Sequence, residues 1–196
     1  MDSRILEFRE PLKSEIINGK VYLMAGASTD HNEAVKNLTW IFENYLRGKK
    51  CRVFGEGMKI KFDEDNKVMP DIKIVCDPDK IKKQGIEGAP DFLAEVLSPR
   101  TRTRDLTEKK DLYEKYGVKE YWIIDTDRKT IEVYLLKNDK LVLDYTYTRF
   151  DKYDIEDIEE TGSEEEKEMI KITTLKTSVF GDDLIIDIAD VFENIE

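Results

Sequence analysis

Two acids stand in runs too apolar to hold them unaided: Asp71 in MPDIKIVCD (residues 69–77) and Glu95 in APDFLAEVLSP (89–99). Taking an ionised carboxylate out of water costs several kcal/mol unless a cation or a hydrogen-bond donor meets it, so each acid implies a partner. Side chains alternate along a strand, which puts Asp71, Lys73 and Val75 on one face and groups Leu93, Glu95 and Leu97 likewise. If the two strands are neighbours, the carboxylates converge on one hard divalent cation. Carboxylate oxygens, water and substrate phosphate are the ligands Mg²⁺ prefers, and Mn²⁺ accepts the same set.

Around this pair lie residues that would complete a phosphate-handling site. The run RDLTEKKDLYEKYG reads as a helix ending at Gly117, with an apolar stripe through Leu106, Leu112, Tyr113 and Tyr116. Asp105 and Lys109, eight and four residues before Tyr113, fall on nearly the same face. A lysine in such a stripe either snorkels to solvent or places its ammonium where a reaction builds negative charge. Lys73, on the strand of Asp71, is the other lysine in reach. Upstream, His31 and Glu33 are supporting candidates, with plainer roles beside them: a hydrogen-bonded histidine on the stripe of Val35 and Leu38, and the closing residue of a capping box begun by Asp30. Arg100, Arg102 and Arg104 follow Glu95 and form a phosphate-contacting group or a solvated loop. Asp91 reads as the cap of an incoming loop, and Tyr121 and Trp122 as core aromatics rather than base-stacking ones.

These residues need a scaffold. Asn18-Gly19 between two apolar runs predicts a tight hairpin near the N-terminus. Ala34, Val35, Leu38, Ile41, Phe42, Tyr45 and Leu46 recur at helical spacing up to Gly48. Short strand-like runs follow (CRVFGE, MKIKFD, DIKIVC, DFLAEVLS), then the helix of Lys109, then KEYWIIDT, TIEVYLLK and LVLDYTYT. The pattern predicts a single α/β domain over 1–196 in which helices flank a mixed sheet. Most of the net charge of −11 sits in residues 151–170, which hold ten acids and two lysines and read as an irregular acidic loop or insertion. No apolar run is long enough for a membrane helix, and MDSRILEFREPLKSE lacks the features of a signal peptide, so a cytoplasmic protein is expected. Cys51 and Cys76 lack metal-site spacing and read as buried free thiols.

Taken together, Pro70-Asp71, EVLSPRTRTRD, EKKDLYEKYGVKEYWIID and the upstream DHNEAVKNL resemble the PD-(D/E)XK nuclease superfamily, and within it the Uma-type restriction endonucleases. The likeness spans about Glu15 to Tyr134, with an echo at LIIDIADVF. It implies a restriction-endonuclease-like fold and Mg²⁺- or Mn²⁺-dependent phosphodiester hydrolysis, with DNA as the expected substrate and a homodimer where both strands are cut. Asp71 and Glu95 then match the two metal-binding acids. Leu97 stands where the superfamily has its lysine, and Lys109 is the candidate replacement, ahead of Lys73. The same departure supports the competing expectation of a catalytically silent module that binds nucleic acid or protein.

Overall fold

The computed structural model describes residues 13–24 and 26–195; the opening run read above for a signal peptide lies, over residues 1–12, outside them. The hairpin forms as β1 (Ser14–Ile17) and β2 (Lys20–Leu23), and Asn18 and Gly19 both adopt the positive φ that its tight turn demands. Helix α1 (Thr29–Leu46) buries Ala34, Val35, Leu38, Phe42 and Leu46. Its N-cap is Ser28, which accepts the His31 N–H, not the expected Asp30; Glu33 pairs instead with Lys36 near the surface. Ser28 precedes the first helical residue, and an N-cap must have non-helical backbone angles, which Asp30 does not.

Strands β3 (Arg52–Phe54), β4 (Ile60–Lys61), β5 (Lys67–Val68), β6 (Ile72–Val75), β7 (Ile81–Lys82), β8 (Gly85–Glu87) and β9 (Phe92–Val96) follow. Helix α2 then runs over 102–115, wound as a π-helix at Asp105–Lys109. Gly117, with φ 77°, closes it before β10 (Glu120–Asp125), β11 (Thr130–Lys137) and β12 (Lys140–Thr148). The main sheet has the order β12-β11-β10-β9-β6-β3. Only β9 and β10 among its pairs are parallel, and α2 is the crossover that a parallel connection requires. A second sheet, β2-β1-β5-β4-β8-β7, carries the hairpin.

Strand alternation sorts the core into two layers. Ile72, Ile74, Phe92, Ala94, Val96, Trp122 and Ile124 face α1 on one side of the main sheet. Val75, Leu93, Tyr121 and Ile123 meet Leu112 and Tyr113 of α2, together with Ile17, Ile60, Val68 and Ile86 of the second sheet. Trp122 and Tyr121 are fully buried, as core aromatics should be. The first layer is completed from far along the chain by Leu175, Leu184, Ile186, Val191 and Phe192. Glu120 clasps that segment through hydrogen bonds: its carboxylate accepts from Trp122 Nε1, the Thr177 hydroxyl, both N–H and hydroxyl of Ser178, and the Val179 N–H.

Two further expectations are corrected. The acidic run does not stay irregular: it forms helices Lys152–Thr161 and Glu164–Met169, each opened by a capping box, at Asp151 with Asp154 and at Ser163 with Glu166. Acids near a helix N-terminus are stabilised by the helix dipole, which composition alone does not reveal. Nor are the cysteines free. β3 lies antiparallel to β6 with Arg52 opposite Val75, so Cys51 comes opposite Cys76 and the two form a disulfide. Residues 25 apart in sequence carry no spacing signal for such a bridge. Reducing it should lower the unfolding free energy by about 3 kcal/mol, the loop entropy returned to the unfolded chain. Urea unfolding with and without dithiothreitol measures this, and coincident curves would show that the bridge contributes nothing.

Candidate active site

The hairpin, the start of α1, the ends of β6 and β9, and α2 enclose a cavity of about 670 Å³. Its lining includes His31, Glu56, Asp71, Glu95, Arg104 and Lys109. Asp71 immediately precedes β6, and its Oδ2 accepts the Val96 N–H at 2.8 Å, which ties it to the end of β9. Ile72 pairs with Ala94 and Lys73 with Leu93, so neighbouring antiparallel strands carry Asp71 and Glu95. Sheet adjacency thus brings both acids to one cavity.

Glu95 is engaged by α2. Its Oε1 accepts from Lys109 Nζ at 3.0 Å and from the Tyr113 hydroxyl at 2.7 Å. Lys109 Nζ also lies 3.2 Å from Asp105 Oδ1 and 3.3 Å from Glu15 Oε1. The expected stripe lysine therefore does not snorkel to solvent; it is buried among three carboxylates. The π-helical winding at Asp105–Lys109 places both ends of that segment in the interface with the sheet. Burial alone would lower the Lys109 pKa, but Glu95, Asp105 and Glu15 outweigh it and hold the ammonium well above its usual value. Burial pushes Glu95 and Asp105 upward, with neighbouring acids adding to the shift and Lys109 opposing it. More carboxylates than ammonium groups are packed here, so the cluster favours one further cation, a proton or a metal ion.

Lys73 is fully buried and donates to the Pro70 carbonyl; burial lowers its pKa to about 8 against the pull of Glu95, Asp71 and Glu56. Of the three arginines, Arg104 lines the cavity, stacks over Tyr22 with its guanidinium 4.3 Å from the ring centre, and comes within 3.7 Å of Glu15. Arg102 is held by Asp125 at 2.6 Å, which gives that strand-end acid a structural partner, and Arg100 is exposed. Asp91 caps the incoming loop by accepting the Cys76 N–H, and pairs with Lys119.

Two residues of the site were not anticipated. Glu15, from β1, is 1% exposed and accepts the Met69 N–H at 2.8 Å beside its contact with Lys109. Its signal was available, since an acid sits at the head of the apolar hairpin run SEII. Glu56 lies in the loop after β3, where the sequence offers nothing to mark it. Its Oε1 is 3.3 Å from His31 Nε2, which is also 3.3 Å from Asp71 Oδ1. Burial disfavours protonated His31, but Asp71 and Glu56 overcome that and raise its pKa.

One ligand atom from each of His31, Glu56 and Asp71 lies within 4.8 Å of the others. Bonds of about 2.1 Å to a small divalent ion leave neighbouring ligands roughly 3–3.4 Å apart, so the two 3.3 Å separations suit a shared ion. The donor set of two carboxylates and an imidazole fits one too. Glu95 is outside that trio, turned toward Lys109 and Tyr113.

This arrangement, a mixed sheet flanked by helices with acids gathered at the ends of adjacent strands, is the restriction-endonuclease-like fold. A crystal structure of a "putative nuclease" from Anabaena variabilis superimposes with a TM-score of 0.68 over 93% of each chain at 20% identity. Residues 2–163 match the Uma2 family, described as "Putative restriction endonuclease", and the chain belongs to that family. Two uncharacterized proteins of Synechocystis are also similar: slr1290, 29% identical over 78% of this chain and 81% of its own, and sll1609, 27% identical over 65% and 75%. Among the described residues, no helix is long and apolar enough to cross a membrane.

Proposed function

We propose that the protein is an endonuclease that hydrolyses phosphodiester bonds in DNA with a divalent cation, Mg²⁺ or Mn²⁺. The observation that carries this reading is the surplus of carboxylates around Lys109 and Asp71 in an open cavity, in a chain of this family. Asp71 and Glu56 would hold the ion, and Glu95 would offer the oxygen not committed to Lys109. When bound, the ion supplies Lewis acidity at the scissile phosphate. Lys109, held charged by its neighbours, fixes Glu95 and offsets its charge; it does not serve as a base, since a raised pKa keeps its proton in place. Lys73, fully buried with its Nζ donating to the Pro70 carbonyl, would add positive charge beside Glu95 and Asp71. Arg104 and exposed Arg100 would receive the DNA backbone, and cutting both strands would use two copies of the chain.

The test is incubation of purified protein with supercoiled and linear DNA in Mg²⁺, in Mn²⁺ and in EDTA. Metal-dependent nicking abolished by EDTA is expected. Metal binding without cleavage of single- or double-stranded substrates would favour the silent binding module, for which Leu97 at the usual lysine position speaks.

A further inference from the structure

We infer that His31 is an inner ligand of the bound ion through Nε2, and that this nitrogen makes the site select Mn²⁺ and similar transition ions over Mg²⁺. The inference rests on the metal-dependent reading above and deepens it. An imidazole suits first-row transition ions, whereas Mg²⁺ favours oxygen ligands and gives up its water reluctantly. His31 Nε2 lies 3.3 Å from Asp71 Oδ1 and 3.3 Å from Glu56 Oε1, at the centre of the three-residue group. His31 is 8% exposed and lines the cavity, as does Asn32 beside it. Among the described residues His31 Nδ1 is buried without a hydrogen-bond partner, so the polar contacts of the ring are those that Nε2 makes toward Asp71 and Glu56. Glu56, 40% exposed at its side chain, gives an ion a route in from the solvent.

The competing role is that of a cationic partner, in which His31⁺ merely neutralises Asp71 and Glu56. The two differ in what a titration with metal alone reads. A ligand role predicts that Mn²⁺ binds the wild-type protein about ten-fold or more tightly than Mg²⁺, and that pulsed electron paramagnetic resonance of bound Mn²⁺ shows coupling to a nitrogen nucleus. His31→Ala should then remove the nitrogen coupling and most of the Mn²⁺ preference while changing Mg²⁺ affinity little. His31→Gln, which keeps volume and polarity, should do the same with its fold checked by thermal unfolding. Absence of nitrogen coupling in the wild type, or unchanged or tighter Mn²⁺ binding by both variants, overturns the inference.

Cleavage assays separate this from the nuclease reading. Nitrogen-coupled Mn²⁺ without any cleavage supports His31 as a ligand and counts against the nuclease. DNA nicking that both variants retain with unaltered metal preference does the reverse.

Discussion

Replacing Asp71 by asparagine is expected to reduce metal-dependent DNA cleavage by about 10³-fold or more while leaving the protein folded. The size follows from what the acid would hold on the proposed reading: a cation at the reacting phosphate is worth several kcal/mol in the transition state, and each 1.4 kcal/mol is about ten-fold in rate. Retention of the fold follows from the hydrogen bond to the Val96 N–H, which an asparagine oxygen can still accept. Loss of the ion pair with His31 should cost little beyond that, so the unfolding free energy is expected to change by no more than about 1–2 kcal/mol. Single-turnover nicking in Mn²⁺, read beside a thermal melt, checks both halves. Wild-type cleavage by Asp71→Asn would remove Asp71 from the site; a collapsed melt would make its role structural.

The second large effect is on stability. Lys109→Met is expected to cost about 3–5 kcal/mol, because it leaves Glu15, Glu95 and Asp105 buried around a group that carries no charge. The penalty should depend on pH with a definite sign. Glu95 and Asp105 already titrate above their ordinary values in the folded wild-type chain, and losing the ammonium raises them further. A carboxyl whose folded pKa exceeds its unfolded one contributes fully only below the unfolded value, and its contribution falls as pH rises toward the folded one. Lys109→Met should therefore be least destabilised near pH 4–5 and most destabilised above neutrality. Urea unfolding across that range measures it, and a pH-independent deficit would mean that lost packing, not charge, dominates. Lys109→Arg retains the charge and should recover part of the stability, although the guanidinium fork does not match a pocket shaped for an ammonium.

Much of this was legible in the sequence because its signals were local. Alternation marked Asp71 and Glu95 as acids in strand-like runs but left open whether those strands were neighbours, which the β6–β9 pairing answers; helical spacing put Lys109 and Tyr113 on one face, and that face meets Glu95. The resemblance of the family motifs pointed to the fold that the superposition shows. What escaped depended on contacts between distant segments. Glu15 reaches the site because the hairpin packs across Met69, and Glu56 because the loop after β3 turns toward the start of α1. The disulfide needed the β3–β6 register. The π-helical winding of α2 leaves no mark in a pattern read at 3.6 residues per turn, although that pattern did put Asp105 and Lys109 on one face.

The physical claim beneath the functional reading is that the excess negative charge in this cavity is met by a divalent ion at Asp71. A crystal grown in MnCl₂ and measured at the manganese absorption edge tests it most directly. One anomalous peak bonded to Asp71 is expected, with Glu56 and His31 around it and Lys109 still on Glu95. Full-occupancy crystals without a peak at Asp71, or with manganese only on the exposed acids of residues 151–170, would contradict it.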